Sequence, residues 1–332
     1  MNLDDCAAGV TAGSRADLGR AITLVESTAP ADRAAARALL ARLAPYAGNA
    51  HRIGISGVPG AGKSTLIDAL GSLLTDRKHR VAVLAVDPSS ERTGGSILGD
   101  ATRMSRLAGR PGAYVRASPS AGARGGTGPA TRAAITVVEA AGYDVVLVET
   151  VGVGQTEAAV ATMVDTFVLL ALIGAGDQLQ GIKMGTLEFA DVVVVNKADG
   201  PRVTAGRNTA RELSAALHLL PAGADRPAPR VMTCSAAEGT GVAELWEHIA
   251  DRFRDRTASG ELTRRRGEQD VQAMWSSAHA MLADAFTTDA RTAARAAALG
   301  ARVADGSATA SDAARRLVRA FLSDSHDNRE EQ

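Results

Sequence analysis

Two separated segments carry residues whose types and order suit binding of a nucleoside triphosphate. Gly57, Val58, Pro59, Gly60, Ala61, Gly62, Lys63 and Ser64 fit the pattern G-x-x-x-x-G-K-[ST]. In such a loop the glycines let backbone N–H groups turn inward and approach phosphate oxygens closely. The lysine supplies a point charge to the β- and γ-phosphates, and the Ser64 hydroxyl is placed to ligate Mg²⁺. Thr65 follows, beside the expected position of the α-phosphate. Asn196, Lys197, Ala198 and Asp199 fit N-K-x-D, a pattern that reads guanine. A carboxylate at Asp199 would accept hydrogen bonds from guanine N1–H and N2–H₂, donors that adenine does not offer in that arrangement. The stem of Lys197 would lie over the base. Cys234, Ser235 and Ala236 resemble the short loop whose backbone N–H meets guanine O6. The first segment specifies a triphosphate and the other two specify GTP.

Acidic residues occur where a magnesium ion would be needed. Glu149, Thr150, Val151 and Gly152 stand at the place of a D-x-x-G motif, with Glu for Asp. The acid would hold Mg²⁺, and the Gly152 N–H would meet the γ-phosphate. Ras-like enzymes place a water-orienting glutamine directly after this glycine, whereas this chain has Val153. Gln155 is the nearest glutamine and a candidate for that task, so unaided hydrolysis is expected to be slow. Asp87 ends an apolar run and precedes Pro88, which suits either a metal-facing carboxylate or a simple turn. Asp100 lies in a glycine-containing stretch that suits a switch loop, and it would serve equally as a helix N-cap. The expected catalytic set is therefore Lys63, Asp87, Glu149 and Gln155, and the expected metal set is Ser64, Asp87, Asp100 and Glu149.

These residues need rigid elements to bring them together. Apolar runs at 52–56, 81–86, 114–117, 144–149, 166–173, 192–196 and 230–234 read as strands. Helical periodicity at 63–74, 129–141, 204–220 and 242–253 alternates with them. Repeated βα units imply an α/β fold, a mostly parallel sheet flanked by helices, with the motifs at the carboxyl ends of strands. Residues 17–48 read as helical with a break at Pro30, giving an N-terminal helical extension over 1–49 ahead of a nucleotide domain over 50–256. Beyond it, Val271, Met274, Trp275, Ala278, Met281, Leu282, Ala285 and Phe286 recur at helical spacing. Further helical patterns occupy 292–303 and 311–322, so 257–332 reads as a helical arm whose polar residues 323–332 are expected to be disordered.

Composition narrows the function classes. Apolar residues make up 45% of the 332 and aromatics only 3%, which suits strands packed under Ala-rich helices. A formal net charge of zero argues against nucleic acid or an anionic membrane as the main partner. The run Arg264-Arg265-Arg266 reads as a solvated helix face or a junction. Cys6 and Cys234 are far apart, which argues against a disulfide framework or a zinc knuckle and fits a reducing cytoplasm. The N-terminal residues lack the basic-then-apolar order of a signal peptide, and no apolar run reaches the ~18 residues needed to span a bilayer.

The segments 57–65, 86–90, 93–104 (TGGSILGDATRM), 149–157 (ETVGVGQTE), 176–185 and 196–199 resemble the methylmalonyl-CoA mutase-associated GTPases of the MeaB/ArgK type, in the SIMIBI class of P-loop GTPases. Met184 departs from this pattern at a position more often basic. The resemblance implies a homodimer joined by C-terminal helices, bound to an adenosylcobalamin-dependent acyl-CoA mutase. It implies that GTP binding and hydrolysis to GDP gate cofactor delivery and protect the mutase. It also implies that 152–155 and 178–183 act as switches. Other readings remain open from sequence. One is an ATP- or GTP-dependent kinase energising lysine, arginine or ornithine transport, for which no membrane segment speaks. Another is a nickel- or zinc-insertion GTPase, which would want clustered cysteine or histidine. A third is a nucleotide-dependent scaffold without turnover.

Overall fold

Short runs rich in valine and leucine lie side by side because each is buried on both faces, the condition under which parallel strands form. The computed structural model describes residues 2–87, 104–119, 127–150, 155–174, 184–219 and 228–330, with backbone alone at several edges of these stretches, Asp87 and Gln155 among them. The strands are β1 (His51–Gly57), β2 (Val81–Asp87), β3 (Ala113–Pro119), β4 (Val145–Thr150), β5 (Thr166–Ala171), β6 (Val192–Val195) and β7 (Arg230–Thr233). They form one sheet in the order β3-β2-β4-β1-β5-β6-β7, every pair parallel. The expected α/β class with helices on both sides is what the structure has.

Alternation along each strand sorts the core into layers. Ala82, Leu84, Val86, Val146, Val148 and Phe167 point to one face. There they meet α6 (Thr127–Ala140) and three N-terminal helices, α1 (Leu3–Thr11), α2 (Arg15–Glu26) and α3 (Pro30–Leu43). Ile53, Ile55, Val83, Leu147, Val168 and Leu170 point to the other face, under α4 (Lys63–Asp76) and α10 (Val242–Ala258). Leu169, Ala171, Val193 and Val195 pack with Leu213 and Leu217 of α9 (Val203–Leu219). Four shorter or later helices complete the numbering up to the sheet's end: α5 (Ser105–Ala108), α7 (Gln155–Ala161), α8 (Met184–Leu187) and α11 (Glu261–Thr288).

Two differences appear at the N-terminus. Helix α1 lies outside the expected helical stretch; it packs Cys6 and Val10 into the core with Leu3 and Ala7 beside them, and Asn2 caps it through Oδ1. Pro30 does break the pattern, but as the first residue of α3, where its missing N–H has no intrahelical partner to lose.

Beneath the amino ends of β5 and β6 the structure buries two carboxylates, Asp165 and Asp191, each 1% exposed. Arg266 donates to both oxygens of Asp165 at 2.8 and 2.7 Å, to the Ala50 carbonyl at 2.6 Å and to the Gly48 carbonyl. Arg256 and Arg252 donate to Asp191 Oδ1 at 2.9 and 3.0 Å. Of the basic run, Arg264 fits the solvated reading and pairs with Glu268 on the surface. Arg265 and Arg266 turn inward, because the helix places them over these acids. Arg266→Ala leaves Asp165 short of its cation and is expected to cost about 3 kcal/mol, read as a fall in the urea midpoint at constant slope. An unchanged midpoint would assign the stabilisation elsewhere.

Contacts divide the chain into two compact units, Met1–Asp270 and Val271–Gln332. The N-terminal helices belong to the first. In the second, Asp289 caps α12 (Ala290–Ala304) by accepting from Thr292 N at 2.7 Å, and Phe286 meets Phe321 of α13 (Ala310–Glu330) edge-on at 5.2 Å. The backbone of α13 runs through Glu330. Val271, Met274, Trp275, Met281 and Leu282 are each more than half exposed on this unit. Among the described residues no helix is long and apolar enough to cross a membrane.

Candidate nucleotide site

The sheet order places β1 between β4 and β5, and the loop leaving β1 turns directly into α4. The turn needs glycine. Gly62 caps α4 at φ +90°, and a Cβ there would come within 2.5 Å of Asn196 Nδ2. Gly57 has its own constraint, since a Cβ would meet the Leu170 carbonyl at 2.5 Å. Val58, Pro59 and Gly60 form the outer part of the loop, with Pro59 and Gly60 exposed, while Ala61 is buried beneath them. This leaves the amino end of α4, with its unpaired N–H groups and positive dipole end, open to an anion.

Lys63 and Ser64 occupy the first turn of α4. Lys63 is 8% exposed, and its Nζ donates to the Gly57 carbonyl at 2.9 Å and to the Val58 carbonyl at 3.4 Å. Burial pulls its ammonium below the usual lysine range, against the upward pull of Glu149 and Glu157. Ser64 Oγ donates to Glu149 Oε1 at 2.9 Å across the gap between α4 and β4. Two hard oxygens from the expected metal set therefore stand together beside the lysine, a donor set that fits Mg²⁺. Thr65 follows on the exposed side of the turn. Asp87 ends β2 at the same edge of the sheet as Glu149, two strands that are direct neighbours. Its side chain, that of Gln155 at the start of α7, and the whole of Asp100 and Gly152 lie outside the described residues.

At the carboxyl end of β6, Asn196 is 1% exposed and faces inward. Its Nδ2 donates to the Ala61 carbonyl at 2.8 Å, and its Oδ1 accepts from Ala236 N at 3.1 Å. One amide thus joins the phosphate loop to the loop after β7, a role that motif matching does not disclose. Lys197 adopts φ +62°, unusual for a side-chain-bearing residue, and so turns the chain toward Asp199. Asp199 Oδ2 accepts from Ser235 Oγ at 2.8 Å, and its other oxygen pairs with Arg202. The Ser235 bond first, and then Arg202, hold its carboxyl below the usual range. Cys234 contributes backbone, accepting from Ala198 N at 3.0 Å, while its buried thiol is pushed up to about 12 by desolvation. A thiol so placed is no nucleophile at neutral pH.

The structure thus brings Gly57 to Ser64, Glu149, Asn196 to Asp199 and Cys234 to Ala236 to one edge of the sheet, the carboxyl ends of β1, β4, β6 and β7. Gly62→Ala tests that closeness. Strain at φ +90° is about 1–3 kcal/mol, and the new methyl displaces the Asn196 amide. Melting temperature is expected to fall, and GTP binding measured by titration to weaken about tenfold. Unaltered binding with a normal melt would show the Asn196 contact to be dispensable.

Sequence reasoning passed over three residues here. Asp68 anchors the segment after the 88–103 stretch, accepting from Arg106 Nε at 2.6 Å and Leu107 N at 2.9 Å. Its signal in the sequence was an acid on the apolar side of α4. Arg202 sits among the motif residues without belonging to a motif, and Glu157, the last residue of the 149–157 segment, was given no role of its own.

Comparison with known proteins bears on what the site serves. The sequence profile of the family described as "Methylmalonyl Co-A mutase-associated GTPase MeaB" matches residues 18–291. The chain is similar to "Probable GTPase Rv1496" of Mycobacterium tuberculosis (strain ATCC 25618 / H37Rv), 59% identical over 273 residues, which are 82% of this chain and 81% of that protein. It is similar to "Methylmalonic aciduria type A homolog, mitochondrial" of Mus musculus, 42% identical over 325 residues, 95% of this chain and 78% of that one. Among solved structures, one described as "Crystal structure of LAO/AO transport system kinase" aligns with a TM-score of 0.76 at 36% identity, covering 96% of this chain and 97% of that one.

Proposed function

The chain belongs to the methylmalonyl-CoA mutase-associated GTPase (MeaB) family and is a GTPase; from this premise we propose that it is a metallocofactor chaperone. In this reading it gates adenosylcobalamin delivery to an adenosylcobalamin-dependent acyl-CoA mutase, such as methylmalonyl-CoA mutase, and protects that enzyme. The observation that carries the nucleotide half is the 2.9 Å contact between Ser64 and Glu149 beside Lys63. The family match and the name borne by the mouse relative support the mutase half.

In the proposed site Lys63 and the N–H groups of residues 57–65 hold the phosphates. Ser64 and Glu149, with Asp87 and Asp100, would hold a magnesium ion, which would supply positive charge to the β- and γ-oxygens. The Gly152 N–H would meet the γ-phosphate, and Gln155 is the candidate for orienting water. Asp199 would read the guanine edge, Lys197 would cover the ring, the loop of Cys234 to Ala236 stands beside the O6 position, and Asn196, which holds the Ala236 N–H, keeps the two halves in register. Val153, where Ras-like enzymes carry glutamine, leaves a slow basal rate for the partner to raise.

The same reading has the protein cytoplasmic and homodimeric, joined through its C-terminal helices, with no nucleic acid or membrane as partner. The half-exposed Trp275 and Leu282 support that use of the second unit. Trp275→Asp combined with Leu282→Asp is expected to halve the mass in light scattering. Retention of the dimer mass would move the interface elsewhere.

The mutase assignment is tested by mixing the protein with purified adenosylcobalamin-dependent mutase and following phosphate release. GTP hydrolysis is expected to rise about tenfold or more, with a complex seen in the presence of a GTP analogue. No complex and no change in rate would overturn it. The likeness to the transport system kinase favours a second reading, a kinase serving amino-acid transport. A preference for ATP over GTP, with phosphate passed to a protein acceptor, would support that one instead.

A further inference from the structure

Behind the phosphate loop runs a buried polar chain that the nucleotide contacts do not use. Thr150 Oγ1, at the end of β4, donates to Ser56 Oγ at 2.8 Å. Ser56 Oγ donates to Glu157 Oε1 at 3.2 Å, and Thr186 Oγ1 donates to Glu157 Oε2 at 2.9 Å. Solvent barely reaches any of them: Ser56 and Thr150 are 0% exposed, Glu157 6% and Thr186 7%. A carboxylate in such a place needs donors from the protein, and here hydroxyls reach it from two sides.

The four residues sit on four different elements, each next to a segment with a part in the site. Ser56 immediately precedes Gly57 on β1, and Thr150 immediately follows Glu149 on β4. Glu157 is in α7, which begins three residues after Gly152, and Thr186 is in α8, which begins after the 176–183 stretch. Helices of seven and four residues gain little from their own hydrogen bonds. Their positions depend on tertiary contacts, and Glu157 is the side chain that ties one to the other and both to β1. The field of Glu157 also reaches Lys63, whose ammonium it pulls on alongside Glu149. A leucine at 157 would pack as well and would make none of these connections.

We propose that Glu157 is a positioning residue for the GTPase cycle: its two oxygens fasten α8 to the strand bearing the phosphate loop, so that the phosphate content of the bound guanine nucleotide sets the stability of α8. This rests on the reading that GTP binds with its phosphates at residues 57–65. A change at Glu149 when the γ-phosphate is present or absent is passed through Thr150 and Ser56 to Glu157 of α7. Because the carboxylate of α7 holds Thr186, the shift either preserves or loosens the α8 turn. The link is reciprocal: whatever holds α8 in one arrangement favours the matching nucleotide.

Hydrogen exchange on the full-length protein, read at the amides of 184–190, tests it. Wild-type protein is expected to show different protection with GDP and with a non-hydrolysable GTP analogue. Thr186→Val keeps shape but removes the donor, and it is expected to shrink that difference by roughly fivefold or more while GTP affinity stays near wild type. Thr186→Ser is expected to restore it. A purely structural role would alter protection equally in both nucleotide states and leave the difference intact. Glu157→Gln provides a second variant should Thr186→Val not fold, and it is expected to blunt the difference in the same direction. An undiminished difference in either folded variant, or equal protection in wild type under both ligands, overturns the proposal while leaving the site intact. Failure of wild type to bind either nucleotide, checked first by titration, overturns the site and the proposal together.

Discussion

Lys63→Ala is expected to lower GTP affinity by roughly 100-fold or more. A charge-assisted bond to a phosphate oxygen is worth about 1.5–3 kcal/mol, and the ammonium would serve both the β- and γ-groups. The loss of about 3 kcal/mol corresponds to a factor near 100 in Kd. Folding stability should change far less, because the ammonium is desolvated and, among the described residues, hydrogen-bonds to the Gly57 and Val58 carbonyls. Calorimetric titration with a GTP analogue, beside a thermal melt, separates the two effects. Affinity close to wild type in a folded variant would remove Lys63 from the phosphate site.

Asp199→Asn carries the second large effect, and it acts on selectivity. An amide at 199 offers one acceptor where the carboxylate offers two, and its NH₂ faces guanine N–H donors. Each lost bond to a charged acceptor is worth about 1.5–3 kcal/mol, so GTP is expected to weaken by 100-fold or more. Xanthosine triphosphate, with a carbonyl where guanine has its amino group, is expected to gain. Ser235 would still donate to the retained oxygen, so the loop should keep its shape. An unchanged ratio of GTP to XTP affinity would falsify the assignment of Asp199 to the base.

The sheet was legible because its strands are buried on both faces and so read as near-continuous apolar runs, Val192 to Val195 being the plainest. The phosphate and guanine segments were legible because each needs a fixed spacing on one continuous stretch of backbone. What stayed hidden depends on residues far apart in sequence. Asn196 was readable as part of a motif, but its bonds to Ala61 and Ala236 reach loops 135 and 40 positions away. Ser56 and Thr186 carry no local pattern, and Glu157, though it closes the 149–157 segment, shows its partners only when the elements around it are placed. Arg265 and Arg266 looked like a solvated face because sequence shows their charge and not the acids waiting beneath β5 and β6. Helix α1 was missed because it is only nine residues long, too short for its apolar positions to repeat over several turns.

The Asn196 carboxamide is planar and stiff, and its nitrogen and oxygen are bonded to two different loops. The separation between the pocket's two ends is consequently set by one short amide and its two hydrogen bonds instead of by the slack of a flexible chain. A ligand lacking either part cannot be accommodated by stretching: a nucleoside without phosphates and free pyrophosphate would each settle at one end, and only a molecule carrying both base and phosphates would collect the binding energy of both.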